Sequence, residues 1–134
     1  MTQCKELVFE EEARYKLRDG LVQVADVVGV TLGPRGRHVG LEESWGLPQI
    51  TSDGHTIVKN LELKDQYMNM GASIAKEAAA RMKVTCGDGT TTTILLLKSL
   101  VEHGIKNIHS SSSPIELKRG MEQGVEIILK ALDN

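Results

Sequence analysis

The sequence predicts a mainly α, multi-helical fold with a short N-terminal strand and a small β-hairpin. Three observations carry that expectation. Apolar residues recur at steps of three and four through long segments, which marks one face of a helix. Clusters of glycine, proline and serine punctuate those segments. Aromatic residues make up only 3% of the chain, so a core must come from Leu, Ile, Val, Ala and Met. With 134 residues the chain fits one domain, or part of one, and is long enough to bury such a core.

Lys5 to Phe9 reads as a short strand. From Glu10 to about Val30, Ala13, Leu17, Leu21, Val24 and Val28 share one helix face, with Arg14, Lys16, Arg18 and Asp19 largely off it. Gly33-Pro34 stops that helix. Arg37 to Glu43 and Pro48 to Thr51 read as two short strands, joined through Glu43-Ser44-Trp45-Gly46-Leu47. Gly40 weakens the first strand or admits a bulge. Ser52-Asp53-Gly54 reads as a turn.

A second long helix is expected from about Lys64 to Lys83, with Tyr67, Met70, Ile74, Ala78 and Met82 as its apolar stripe. Gly71 and Ala75 on its flank would let another helix approach closely. A third helix, about Thr91 to Ile108, is apolar nearly all round at its start and is expected to be central and buried. Ser110 to Ser113 form a linker, and Ser113-Pro114-Ile115-Glu116 reads as a capping box with proline at the first helical position. The fourth helix carries Leu117, Met121, Val125, Ile128 and Leu132. No clear helix-ending loop follows it, which predicts a piece of a longer polypeptide.

Charge and cysteine usage narrow the function classes. Net charge is −2, with 16 basic and 18 acidic side chains mixed along the chain. No basic stripe exists, so a nucleic-acid partner is not expected. Cys4 and Cys86 stand in no metal-ligand spacing and imply a reducing compartment. His38, His55, His103 and His109 have no ligand spacing either. No segment has membrane-spanning length and the first residues carry no leader pattern, so a cytoplasmic protein without a membrane partner is expected.

The run Cys86-Gly87-Asp88-Gly89-Thr90-Thr91-Thr92-Thr93 carries the chemistry. It sets a carboxylate, two glycines and four hydroxyls before the apolar run Ile94 to Leu97. The first amides of a helix have no partner within it, and the helix dipole adds partial positive charge there. Such a start suits an anion, and an adjacent acid suits the metal that accompanies a polyphosphate. Asp-Gly is also a common turn and Thr a common cap, but one cap accounts for one threonine. Thr31-Leu32-Gly33-Pro34-Arg35-Gly36-Arg37 is a second glycine-rich loop with positive charge. It reads as a close approach to a ligand or as a helix stop followed by a solvated basic turn. No P-loop pattern occurs in the chain.

Thr31 to Gly36, Thr51 to Gly54, Asn69-Met70-Gly71-Ala72, Gly87 to Thr92 and Leu117-Lys118-Arg119-Gly120 follow one another in an order and spacing that resemble group I chaperonins, the GroEL or 60 kDa heat-shock family. The resemblance runs over essentially the whole chain, which is similar to the amino-terminal half of that family's equatorial, ATP-binding domain. It implies a mostly helical domain that binds ATP or ADP with Mg²⁺ and K⁺. The phosphate loop falls on Thr31, Leu32, Gly33 and Pro34, the metal-binding acid on Asp88, and the phosphate-contacting helix start on Gly89, Thr90, Thr91 and Thr92. Asp53 matches an acid near the γ-phosphate and is the candidate catalytic group, with Ser52 beside it.

The family uses nucleotide turnover to open and close a double-ring cage around unfolded polypeptide, with a co-chaperonin lid. The resemblance therefore implies self-association into a ring. The family's apical and intermediate domains and the returning half of its equatorial domain have no counterpart here. Ser52 stands where typical members carry lysine, and Cys86 where a small residue is usual. The first departure leaves a second reading open, a paralogue that keeps the scaffold as a non-hydrolysing interaction module. An unrelated helical bundle would need several ordered matches by chance.

Overall fold

A computed structural model describes residues 7–42, 46–109 and 113–133. The chain divides into two compact units, Met1–Ser99 and Leu100–Asn134. The elements in order are α1 (Glu10–Gly29), β1 (Val39–Leu41), β2 (Gln49–Thr51), α2 (Gly54–Asn60), α3 (Gln66–Cys86), α4 (Thr90–His109) and α5 (Pro114–Leu132). Among the described residues the fold is mainly α with one two-stranded antiparallel hairpin, as the periodicity predicts. No helix among the described residues is long and apolar enough to cross a membrane.

In the first unit α1 packs along α3. Three glutamates open α1, where the helix dipole favours negative charge. Its buried face is Gly20, Leu21, Val24, Ala25 and Val28. The buried face of α3 departs from the expected stripe. Gly71, Ala72, Ala75 and Ala79 are buried, whereas Met70 and Ile74 stay 59% and 48% exposed. The reason is backbone proximity. A Cβ added to Gly71 would lie 1.9 Å from the carbonyl oxygen of Leu17, and one on Gly20 only 1.8 Å from that of Met68. The small flank thus forms the seam, and the large residues have no room there.

The hairpin pairs Val39 with Thr51, Gly40 with Ile50 and Leu41 with Gln49. That pairing is continuous, so Gly40 introduces no bulge; the strands are shorter than expected, three residues each. Residues 43–45 of the connecting loop, Trp45 among them, lie outside the described residues.

The expected N-terminal strand is not found in its described part: residues 7–9 form no strand, and Lys5 and Glu6 lie outside the described residues. The expected turn at Ser52-Asp53-Gly54 instead opens a helix, α2, whose Ile57 and Val58 are 0% and 1% exposed. Five helices therefore stand among the described residues where four were expected.

α3 runs further than predicted, to Cys86, and Gly87 ends it in the left-handed conformation at φ 78°. Its start is capped by Asp65, which accepts from the amides of Tyr67 and Met68 at 2.9 Å each. The N-terminal half of α4 belongs to the first unit. Thr90 and Ile94 are buried, and Lys98 pairs with Asp26 of α1. Full burial of a side chain such as Leu21, Ile57 or Ile94 contributes about 1.5–3 kcal/mol. The expectation that α4 is buried all round fails, because Leu96 is 61% and Leu100 53% exposed. Among the described residues, cover lies on the side of Thr90 and Ile94.

The second unit holds the rest of α4 and α5. Residues 110–112 of the serine linker lie outside the described residues. Pro114 takes the first position of α5, and Ser113 caps it through one bond from the amide of Ile115 at 3.3 Å. α5 buries none of its residues; Val125, Ile128 and Leu132 are all more than half exposed.

Candidate functional site

The residues singled out by sequence sit on three segments of the first unit. The first is the loop that leaves α1. Thr31 turns back on the helix end, donating both its amide (3.0 Å) and its hydroxyl (2.7 Å) to the carbonyl of Val28. Gly33 takes φ 82°, a conformation that penalises a Cβ. Gly36 donates to Gly33 O at 2.9 Å, and Arg37 N closes the loop onto Val30 O at 2.8 Å. Leu32, Gly33 and Pro34 are exposed at the loop surface.

The second segment is the start of α2. Asp53 is its N-cap, and Oδ2 accepts from the Thr56 amide at 3.0 Å and from the Thr56 hydroxyl at 2.6 Å. The Asp53 amide in turn donates to the Thr51 hydroxyl at 3.1 Å. The Thr56 hydroxyl is the main cause that holds the Asp53 carboxyl below its ordinary value. Partial burial pushes the other way, while the Thr56 amide, Lys83 and His55 add to the lowering. Ser52 is exposed beside it.

The third segment is the α3–α4 connector. Asp88 stands between Gly87 at φ 78° and Gly89 at φ 81°. The first intrahelical bond of α4 runs from Thr93 N to Gly89 O at 2.9 Å, and the Thr93 hydroxyl donates to the same oxygen at 2.9 Å. The amides of Thr90, Thr91 and Thr92 precede that bond and have no acceptor within the helix. Thr90 is 6% exposed, Thr91 is half-buried, and Thr92 and Asp88 are exposed.

These segments meet at Gly54. A Cβ there would lie 2.3 Å from Thr91 Oγ1, 3.2 Å from Val28 Cγ1 and 3.4 Å from Thr90 Oγ1. The glycine after Asp53 is thus pressed against the α4 start and against the end of α1, three residues before Thr31. The structure brings Asp53, Thr90 and Thr91 into one neighbourhood, with the 31–34 loop leaving from its edge.

Among the described residues no three His, Cys, Asp or Glu side chains converge as an all-protein metal cage. Asp88 fits a different donor set. Mg²⁺ is commonly held by one or two carboxylates plus phosphate oxygens and water, and the unclaimed amides beside Asp88 suit those phosphates. A cleft of about 290 Å³ between α2 and α3 is lined by His55, Val58, Lys59, Lys76, Ala79 and Ala80. It takes no lining from the 31–34 loop or the α4 start.

Sequence reading missed three participants: Gly54 as the meeting point, Thr56 as the partner of Asp53, and Lys83 as a nearby cation. The second had a signal. An acid followed three residues later by a donor is the spacing of an N-cap with its third helical residue.

Comparison with known proteins agrees with this architecture. The model of the TCP-1/cpn60 chaperonin family matches residues 24–134, a span that contains all three segments. Chaperonin GroEL 3 of Protochlamydia amoebophila (strain UWE25) is 57% identical over 129 residues, which is 96% of this chain and 24% of that protein. The chain therefore spans about a quarter of the length of that curated relative. A match over most of the chain makes this polypeptide a member of the TCP-1/cpn60 chaperonin family, in its group I, GroEL-type branch.

Proposed function

We propose that these residues form the amino-terminal half of an equatorial domain and carry the phosphate- and Mg²⁺-binding part of a nucleotide site in an ATP-dependent chaperone. The supporting observation is the meeting of the α2 and α4 starts at Gly54, with Asp53 capping one helix and amides that have no helical acceptor opening the other. In this reading the amides and hydroxyls of Thr90, Thr91 and Thr92 receive phosphate oxygens. Gly33 allows the 31–34 backbone to approach the same group. Asp88 holds Mg²⁺, which when bound neutralises phosphate charge. Asp53, kept ionised by Thr56, faces the terminal phosphate as acceptor for the attacking water. K⁺ is the further ion that family membership implies.

The remaining parts of the proposed machine, a cytoplasmic ring enclosing unfolded polypeptide under a co-chaperonin lid, would be built by the full-length protein. The test is calorimetric titration of Mg-ATP and Mg-ADP into that protein. Saturable heat, lost in Asp88→Ala, is expected. Absence of saturable heat favours the second reading, a scaffold without turnover, for which the uncharged Ser52 beside Asp53 is the motivating observation.

A further inference from the structure

Asp53 is bonded more fully than a helix cap requires. Capping needs one side-chain oxygen to accept one amide, and the Thr56 amide at 3.0 Å provides that bond. The Thr56 hydroxyl adds a second, shorter bond of 2.6 Å to the same oxygen, Oδ2. That bond satisfies no orphan backbone group, because its donor is a side-chain hydroxyl. Its effect is geometric. Two donors from one residue on one oxygen fix both torsions of the carboxylate. Both bonds fall on Oδ2, and no bond within the described residues is formed by Oδ1.

The base of this arrangement is rigid. Gly54 is wedged against Val28, Thr90 and Thr91, and Ile57 and Val58 anchor the next turn in the core. Thr51, on the other side, receives the Asp53 amide at 3.1 Å and so pins the backbone that carries the acid.

We infer that Thr56 is a positioning residue for the nucleotide reaction: its hydroxyl fixes the Asp53 carboxylate so that Oδ1 alone is presented to the water that attacks the terminal phosphate. This rests on the nucleotide-site reading above. Thr56 touches no substrate in this assignment; it acts through Asp53. The lowered carboxyl value, for which the Thr56 hydroxyl is the largest cause, agrees with that geometry.

The test uses the full-length protein with Thr56→Val and Thr56→Ser. Valine keeps the shape and the capping amide but removes the hydroxyl, and serine keeps the hydroxyl. In Thr56→Val, kcat for Mg-ATP is expected to fall roughly ten- to a hundredfold with Mg-ADP affinity within about twofold of the parent. The acid limb of its pH–rate profile is expected to move to higher pH, because the bond that favours the ionised form is gone. Thr56→Ser is expected to restore turnover. Thermal melting of each variant reports folding separately. A Thr56→Val protein that turns over like the parent, or a Thr56→Ser protein as slow as Thr56→Val, overturns the positioning role while leaving the nucleotide site standing. A parent that binds no Mg-nucleotide overturns the site reading and this assignment together.

Discussion

Replacing Gly71 with alanine tests the seam on which the site is mounted. Alanine is a better helix former than glycine by about 1 kcal/mol, so an exposed helix would gain stability from the change. At Gly71 the new Cβ would stand 1.9 Å from Leu17 O and 2.8 Å from Leu17 C. Those atoms are backbone and cannot rotate away. To restore even a 3.0 Å contact, α1 and α3 must part by about 1 Å. The seam they share includes Leu21, Val24, Ala25, Val28, Ala72, Ala75 and Ala79, all at most 2% exposed. A gap of about 1 Å removes a quarter to a half of the dispersion attraction across it. Overpacking of this kind costs about 1–3 kcal/mol, and contact with backbone belongs at the upper end. After the helix-propensity gain, a net loss of about 2 kcal/mol remains. Thermal unfolding followed by circular dichroism should show a fall in Tm of roughly 8–15 °C if the seam unfolds as one small domain. Faster amide exchange in both helices should accompany it. Gly124→Ala is the control, since nothing lies within 4 Å of its Cβ and α5 buries none of its residues. The control should be neutral or stabilising by up to about 1 kcal/mol. If Gly71→Ala melts with or above the parent, the close-approach argument is wrong. Gly20→Ala should behave like Gly71→Ala, and the double variant should lose less than the sum, because one separation relieves both clashes.

Three further outcomes are expected. The 134-residue chain alone should release phosphate from Mg-ATP no faster than buffer; protein-dependent release in a malachite-green assay, abolished by Asp88→Ala, would contradict this. Lys83→Met removes a charge that lowers the Asp53 carboxyl, so that group should titrate closer to 3.8. A depressed folded value contributes stability above 3.8 that is lost as pH falls through the folded value. In the variant this contribution is smaller and disappears at a higher pH; a carbon-13 titration of Asp53 that does not move upward would refute it. The isolated chain should also self-associate to cover Leu96, Leu100, Ile128 and Leu132, each more than half exposed. Light scattering showing a folded monomer over a wide concentration range would count against that.

Much of the fold was legible because four long helices announce themselves by period and punctuation. The failures have physical causes. α2 was missed because its seven residues open with Gly54 and continue through β-branched Thr56, Ile57 and Val58, a composition that hides a helix held by Asp53 and by burial. The wrong stripe was assigned to α3 because hydrophobicity ranks Met70 and Ile74 above Gly71 and Ala75. Contact with α1 depends on how closely two backbones can come, and that favours the smaller residues. α4 looked buried all round because its composition is apolar on more than one face. Burial also needs neighbours, and those among the described residues reach only one side. At the site, the amide-rich start of α4 and the acid at 88 were readable from residue types and order. The bonds from Thr56 to Asp53 were less so, since a helix had to be recognised at 54 before its third residue could be seen to face its cap.

The bond from Arg37 N to Val30 O stitches the neck of the 31–36 loop shut, and Gly36 N to Gly33 O ties a second knot inside it. A loop fastened at its own base is mechanically insulated. In the proposed nucleotide site, substitutions at Leu32, Pro34 or Arg35 would alter what the tip offers to an anion, with little of that change passing to α1 or to β1. If the proposal holds, affinity there can be retuned by exchanging a short cassette while the scaffold beneath it keeps its shape.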